Sequence, residues 1–444
     1  MKKTITIIVF FITSVYSQSF LEPPDGKIYH GTQIAFESHL GYIEALNDST
    51  LNPAVRGIFL AVPGTRPPAT TYNNLRKFLF EADSIGFIPE ISLFLETNHD
   101  IPNGATDSII AVSTEYDYFI DSLIEVCRIY GQRMFIRIGG EFNGWWNGGG
   151  YHPYYYVIAF RKIVDMFATK DFRDSIATVW CYEPDAANDF DSVGINGPLW
   201  YPGDEYVDWF GLDVFDYFHF DQSLPDYNRG VITQKGKSER FLEMARTKMK
   251  PVFLNETSAK AINITADSID SANDWSNWFA KFWEFIDNHT EIKGFNYINA
   301  EWESSGFPGW GDARIQNSTY IAKWYKEEIQ RDKYIHLQTS TPVSIKPVIA
   351  FPEQFVLYQN YPNPFNPSTT ISYKLQASSY VTLKVYDILG REIATLVNEY
   401  QQPGKYFVHF NVETHHGASL PNGVYFYKLQ AGSFVQSRKM LLLK

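Results

Sequence analysis

Cysteine is nearly absent from this sequence, Cys127 and Cys181 being the only two. Two thiols make no disulfide framework, and both are expected as buried small apolar side chains rather than a bridge. Positive charge is also short, with 38 Lys and Arg against 50 Asp and Glu. A net charge of -12 excludes the basic face that a phosphate backbone requires, so no nucleic-acid partner is expected. The ten histidines are scattered and lack ligand spacing, and neither a metal nor a cofactor is expected. No glycine-rich loop follows the first strand-like run, and Gly148-Gly149-Gly150 lacks the strand-to-helix context of a phosphate cradle. Beyond the first residues no apolar run approaches the ~18 residues that span a bilayer, so a soluble mature chain is expected.

What is present begins with a leader. Lys2 and Lys3, a short apolar run over 5–12 and the small Val15 and Ser17 predict a signal peptide over 1–17. Aromatic residues are abundant: 11 Trp, 29 Tyr and 34 Phe, which suits both core packing and stacking on sugar rings. Strand-like apolar runs at 30–36, 57–62, 88–95, 134–138, 178–182, 209–215, 251–255 and 293–299 alternate with amphipathic stretches such as 71–84, 116–130, 155–167, 239–248 and 272–288. Eight such strands with helices between them predict an α/β fold, a (β/α)8 TIM barrel over 28–330. A linker is expected over 331–352, where Thr, Ser, Pro and Gln gather. Short alternating runs with turn residues between them then predict a small all-β immunoglobulin-like sandwich over 353–444.

In a (β/α)8 barrel, chemistry belongs where strands end. The fourth predicted strand runs into Glu141 and the seventh into Glu256, which places the two carboxyls across the barrel mouth. Strand alternation puts Arg137, Gly139 and Glu141 on one face, and Val252 and Leu254 on the face of Glu256. One protonated and one ionised carboxyl can cleave a glycosidic bond, with retention if they stand ~5–5.5 Å apart. Position alone also allows either glutamate to be an ion-pair partner or a metal ligand.

The surrounding residues narrow the choice. Arg137 with Glu141-Phe142-Asn143-Gly144-Trp145-Trp146 is followed by Trp200-Tyr201-Pro202-Gly203-Asp204, Val207-Asp208-Trp209, Gly211-Leu212-Asp213 and Lys250-Pro251 leading to Glu256-Thr257. In this order they resemble glycoside hydrolase family 26, mostly endo-β-1,4-mannanases of retaining mechanism. The resemblance implies Glu141 as acid/base and Glu256 as nucleophile. Two positions depart from it: Gly140 stands where the family usually has His, and Phe215 stands where it has a Tyr touching the nucleophile, with Tyr217 two places on. Arg137 is expected to pair with Asp213 in support, because an unpaired buried charge is costly. Asn143 can bond the sugar or cap the loop, and Trp145, Trp146 and Trp302 are expected to stack on sugar rings.

In the tail, Asn360-Tyr361-Pro362-Asn363-Pro364-Phe365-Asn366-Pro367, Val385-Tyr386-Asp387 with Leu389-Gly390-Arg391, Gly423-Val424-Tyr425-Phe426-Tyr427 and Lys439-Met440-Leu441-Leu442-Leu443-Lys444 resemble the type A C-terminal sorting domain of type IX secretion. That resemblance implies the outer-membrane secretion machinery as a partner, and a secreted or cell-surface location. The expected function is that of a secreted, monomeric, retaining endo-glycoside hydrolase acting on a β-linked polysaccharide. β-1,4-Mannan is the first candidate. β-1,3-Xylan, mixed-linkage β-glucan and a non-catalytic glycan-binding surface protein stay open.

Overall fold

The computed structural model describes residues 18–337 and 355–443, apart from 34–37, 64–67, 98–102, 188, 192–198 and 267 in the first stretch and 361, 376–378, 402–403, 413–419 and 433 in the second. The expected leader at 1–17 and most of the expected linker lie outside the described residues. Contacts divide the chain into two units, residues 1–340 and 341–444.

The first unit is a closed parallel barrel. Its strands are β1 (Ile28–Gln33), β2 (Val55–Ala61), β3 (Ile88–Phe94), β4 (Met134–Glu141), β5 (Ile176–Tyr182), β6 (Trp209–Leu212), β7 (Val252–Thr257) and β8 (Ile292–Tyr297), each hydrogen-bonded to the next. The ring closes through β8 on β1, with Tyr29 opposite Gly294 and Thr32 opposite Tyr297. Helices such as α1 (Ser38–Leu46), α2 (Pro68–Ile85), α3 (Asp107–Val112), α4 (Asp117–Tyr130), α5 (Pro153–Thr169) and α6 (Gln234–Thr247) form the outer ring. The last predicted helix divides into α7 (Ser268–Asp274) and α8 (Ala280–Asn288) around a π-helical turn at Trp275–Phe279, and α9 (Thr319–Ile329) follows β8. Tyr334–Ile335 adds beside β1, with Ile28 opposite Tyr334, so the barrel unit runs past residue 330 into the stretch expected as linker. Tyr334 is buried there against Trp283 and Phe295, which accounts for its ordered place.

Period-two alternation sorts each strand's residues between barrel interior and helices. Val55, Phe135, Ala177, Val179, Cys181, Trp209 and Phe253 pack together as the interior floor. Val252 and Leu254 belong instead to the cluster shared with the helices. This corrects the expected face of β7: the inward residues are Phe253 and Asn255. Above the floor the interior turns polar, because Gly31 and Gly57 leave the volume that Asn296 and Gln33 occupy. Cys127 and Cys181 are free thiols, both buried. Among the described residues no helix is long and apolar enough to cross a membrane.

The second unit is all-β. β9 (Val356–Leu357), β10 (Ser368–Leu375) and β13 (Gly404–Asn411) make one antiparallel sheet, in the order β9-β10-β13. β11 (Ser379–Tyr386), β12 (Glu392–Gln401), β14 (Gly423–Ala431) and β15 (Phe434–Leu442) make the other, in the order β12-β11-β14-β15. Every second residue of β10, from Thr369 to Leu375, is buried. Ile371, Val381, Leu383, Tyr427 and Met440 join one core between the sheets. The motif residues have local tasks. Asn360 donates to Pro362 O (3.0 Å) and Thr369 Oγ1 (2.9 Å), while the Asp387 carboxylate accepts from the Leu389 and Arg391 amides, both at 2.9 Å.

Candidate active site

The site is built on a guanidinium fixed inside the barrel. Arg137 points inward from β4, fully buried, and donates from Nη2 to Asp213 Oδ2 and from Nη1 to Glu256 Oε1. Ser92 Oγ stands 3.3 Å from Nη1. Asp213 follows β6 and also accepts the Glu256 amide at 2.8 Å, so Glu256 is held through both its backbone and its carboxylate. Burial opposes the charge on Arg137, but the carboxylates around it outweigh burial and raise its pKa above the ordinary value.

Glu141 reaches the mouth by another route. Alternation predicts Arg137, Gly139 and Glu141 on one face of a regular strand, and β4 is not regular there. Arg137 pairs with Val179 and Glu141 with Cys181, so four steps on β4 match two on β5. The surplus is a bulge at Gly139 (φ 85) and Gly140 (φ 56), both in the left-handed region. The bulge carries Glu141 to the strand tip, where its carboxylate accepts the Trp146 indole N–H. Asn147 donates to the Glu141 carbonyl. Burial, and then the charge of Glu256, push the Glu141 carboxyl up to about 7, against the opposing pull of Arg137 and Trp146.

A third acidic group lies beside this pair. Glu183 directly follows β5; its N–H donates to Asn143 Oδ1 (3.1 Å) and its carbonyl accepts from Asn143 Nδ2 (2.7 Å). Asn143 therefore joins two βα loops, the loop-holding alternative for this residue. Burial, and then the charges of Glu141 and Asp185, push Glu183 well above the usual carboxylate range. His219 Nε2 stands 3.1 Å from Asp185 Oδ1 and 3.8 Å from Glu183 Oε1. Its Nδ1 accepts the Phe215 amide at 3.3 Å. Despite burial, His219 and Lys260 hold Asp185 below the usual range. Glu183, Asp185 and His219 offer three ligand atoms within 4.8 Å of one another, and Asp185 is ion-paired with Lys260 Nζ at 3.2 Å. Their separation in sequence hid this cluster; Glu183 alone had a signal, as an acid at a strand end.

The remaining expected residues divide. Trp146 stands at Glu141, and Trp145 next to it is 61% exposed, at 6.2 Å between ring centroids. Trp302 is only 3% exposed; its Nε1 donates to Ser258 Oγ at 2.8 Å, and its ring is enclosed by Phe215, Phe307 and Trp310. Its ring is almost wholly covered, while Phe307 and Trp310 of that cluster are both half-buried. Phe215 is buried, with its ring on Trp310 at 5.0 Å and its carbonyl bonded to the Trp278 indole at 2.6 Å. Tyr217 lies tilted against Phe218, 4.1 Å between ring centroids, under Lys281. The Glu256 carboxylate is bonded by Arg137.

Paired glutamates at the ends of β4 and β7, backed by a buried arginine–aspartate pair, stand together at the mouth of a (β/α)8 barrel. Residues 132–299 match the family model described as Glycosyl hydrolase family 26. Residues 359–443 match the Secretion system C-terminal sorting domain. A β-1,3-xylanase from Alcaligenes sp is 27% identical over 248 residues, covering 50% of this chain and 48% of that protein. Another, Beta-1,3-xylanase TXYA from Vibrio sp, is 28% identical over 259 residues, covering 52% and 51% respectively. The chain thus spans about half the length of the curated relatives it matches. Among solved structures, a Cellulomonas fimi endo-β-1,4-mannanase double mutant shares the fold, with a TM-score of 0.50 at 16% identity, covering 94% of this chain and 95% of that one.

Proposed function

We propose that the barrel is a retaining, endo-acting glycoside hydrolase of β-linked polysaccharides. The observation that carries this reading is a buried carboxyl at about 7, Glu141, facing the charge of a second carboxylate that Arg137 holds in place. Glu256 attacks the anomeric carbon while Glu141 gives its proton to the departing glycosidic oxygen, forming a covalent glycosyl-enzyme. Glu141, now ionised, takes a proton from water, and the oxygen of that water displaces Glu256 with net retention. Trp145 and Trp146 supply apolar faces for the chain beyond the cleaved bond.

The family resemblance favours β-1,4-mannan, and the names of the curated relatives favour β-1,3-xylan. Reducing-sugar release from β-1,3-xylan, β-1,4-mannan, β-1,4-xylan and lichenan tests the reading, with the first-formed anomer read by NMR. Release from at least one glycan as the β-anomer is expected. Tight binding to a glycan without any release would leave a binding protein instead. The tail is proposed to direct export by type IX secretion, to the medium or the cell surface; deleting 353–444 should leave the protein inside the cell.

A proton donor must be protonated, so kcat/KM should fall as pH rises through about 7, the value set for Glu141 by burial and Glu256. Trp146 donates to the ionised form and so favours it. Trp146→Phe should therefore move this alkaline limb to higher pH, whatever its effect on rate. An unmoved limb would show that the indole does not tune the acid.

A further inference from the structure

On one side of the barrel the polar interior ends in hydrocarbon. β3 turns Glu90 and Ser92 inward, where Glu90 Oε2 accepts from Gln33 Nε2 at 2.7 Å and Ser92 Oγ meets Arg137. The next residue of that parity is Phe94. On β2 the same parity runs from Gly57 to Phe59. The two rings meet edge to face at 5.8 Å, and both stay half-buried at the strand tips. Phe94 also lies against the bulge that carries Glu141. A Cβ built on Gly140 would stand 2.2 Å from Phe94 Cε1 and 2.6 Å from Cδ1. While the ring holds its place, no side chain fits directly before Glu141. The space of a side chain beside the acid is thus filled from the neighbouring strand, by a group with neither hydrogen-bond donor nor acceptor.

We infer that Phe94, with Phe59 behind it, is a specificity-determining residue that selects a pentopyranose over a hexopyranose in the sugar site beside Glu141. The inference rests on the reading of Glu141 and Glu256 as a glycoside-cleaving pair. The C–H edge of a pyranose gains by leaving water for an aromatic face. A hydroxymethyl arm pressed against the same face loses its bonds to water and finds no partner. It also needs volume that the ring already fills. Xylose is glucose without that arm.

β-1,3-Xylan and β-1,3-glucan differ only by one hydroxymethyl arm per sugar, so kcat/KM on matched oligosaccharides of the two series reads the selection directly. Wild type should favour the xylo-series by about tenfold or more, the scale of one misplaced group in an apolar site. Phe94→Ala should shrink that ratio by about tenfold, chiefly through faster cleavage of the gluco-series. Phe94→Leu, which keeps an apolar group of intermediate size, should retain most of the preference and stands in if the alanine variant fails to fold. An unchanged ratio in a variant that melts like wild type overturns the inference, as does a wild type that prefers β-1,3-glucan or β-1,4-mannan. Failure of wild type on every glycan would instead remove the underlying catalytic reading, and the inference with it.

Discussion

Glu256→Gln is expected to abolish turnover, and Glu141→Gln to lower it by about 10³-fold, within the range for a lost general acid. The two losses differ in kind. Without the nucleophile no glycosyl-enzyme forms. Without the acid/base, a substrate whose leaving group needs no protonation still reacts with Glu256, and the intermediate then waits for a nucleophile that needs no base. Azide is such a nucleophile. With an aryl β-glycoside and azide, Glu141→Ala should therefore yield a β-glycosyl azide and Glu256→Ala the α-anomer, because azide attacks opposite faces of the sugar in the two cases. Product anomers identified by NMR decide the roles; the reverse pattern would exchange them, and near-wild-type hydrolysis by either variant would take that residue out of the mechanism.

The second large effect belongs to Arg137. It is fully buried and paired with Asp213 and Glu256. Arg137→Met preserves much of the side-chain length and leaves the carboxylates without a cation, a loss expected to cost about 3–5 kcal/mol. At roughly 2 °C per kcal/mol for a domain of this size, the melting temperature should fall by about 6 °C or more. Activity should fall with it, since among the described residues Arg137 is the side chain bonded to the Glu256 carboxylate. Adding Asp213→Asn removes one stranded charge and should recover part of the lost stability, and calorimetry of the four proteins in this cycle measures the coupling. Arg137→Lys is not expected to substitute, since one ammonium cannot reach two acceptors in the fixed geometry of the guanidinium.

The barrel was legible because each strand is a short apolar run with punctuation, and the paired glutamates because each closes such a run. The pairing of Arg137 followed from the cost of an isolated buried charge. The path to Glu141 was not legible, since alternation presumes a regular strand and two left-handed glycines break the count. The expected placing of Val252 and Leu254 on the face of Glu256 fails on the same presumption, with a register shift between Phe295 and Tyr297 opposite the end of β7. Tryptophan count does not tell an enclosed ring such as Trp302 from an exposed one such as Trp145. The network of Glu183, Asp185 and His219 joins the end of β5 to a turn more than thirty positions further on. Only the folded ring brings those segments together.

The contact between Phe94 and the bulge also fixes the order in which the two positions can change. A side chain at 140 placed while the ring is present meets its carbons at 2.2 Å. Once position 94 has shrunk, histidine there has room, and it tolerates a φ of 56 better than β-branched residues do. The two sites are therefore epistatic: Gly140→His should be damaging in the wild-type background and milder after Phe94→Ala, and any route from this mouth to one with a polar group beside the acid passes through the smaller residue at 94 first.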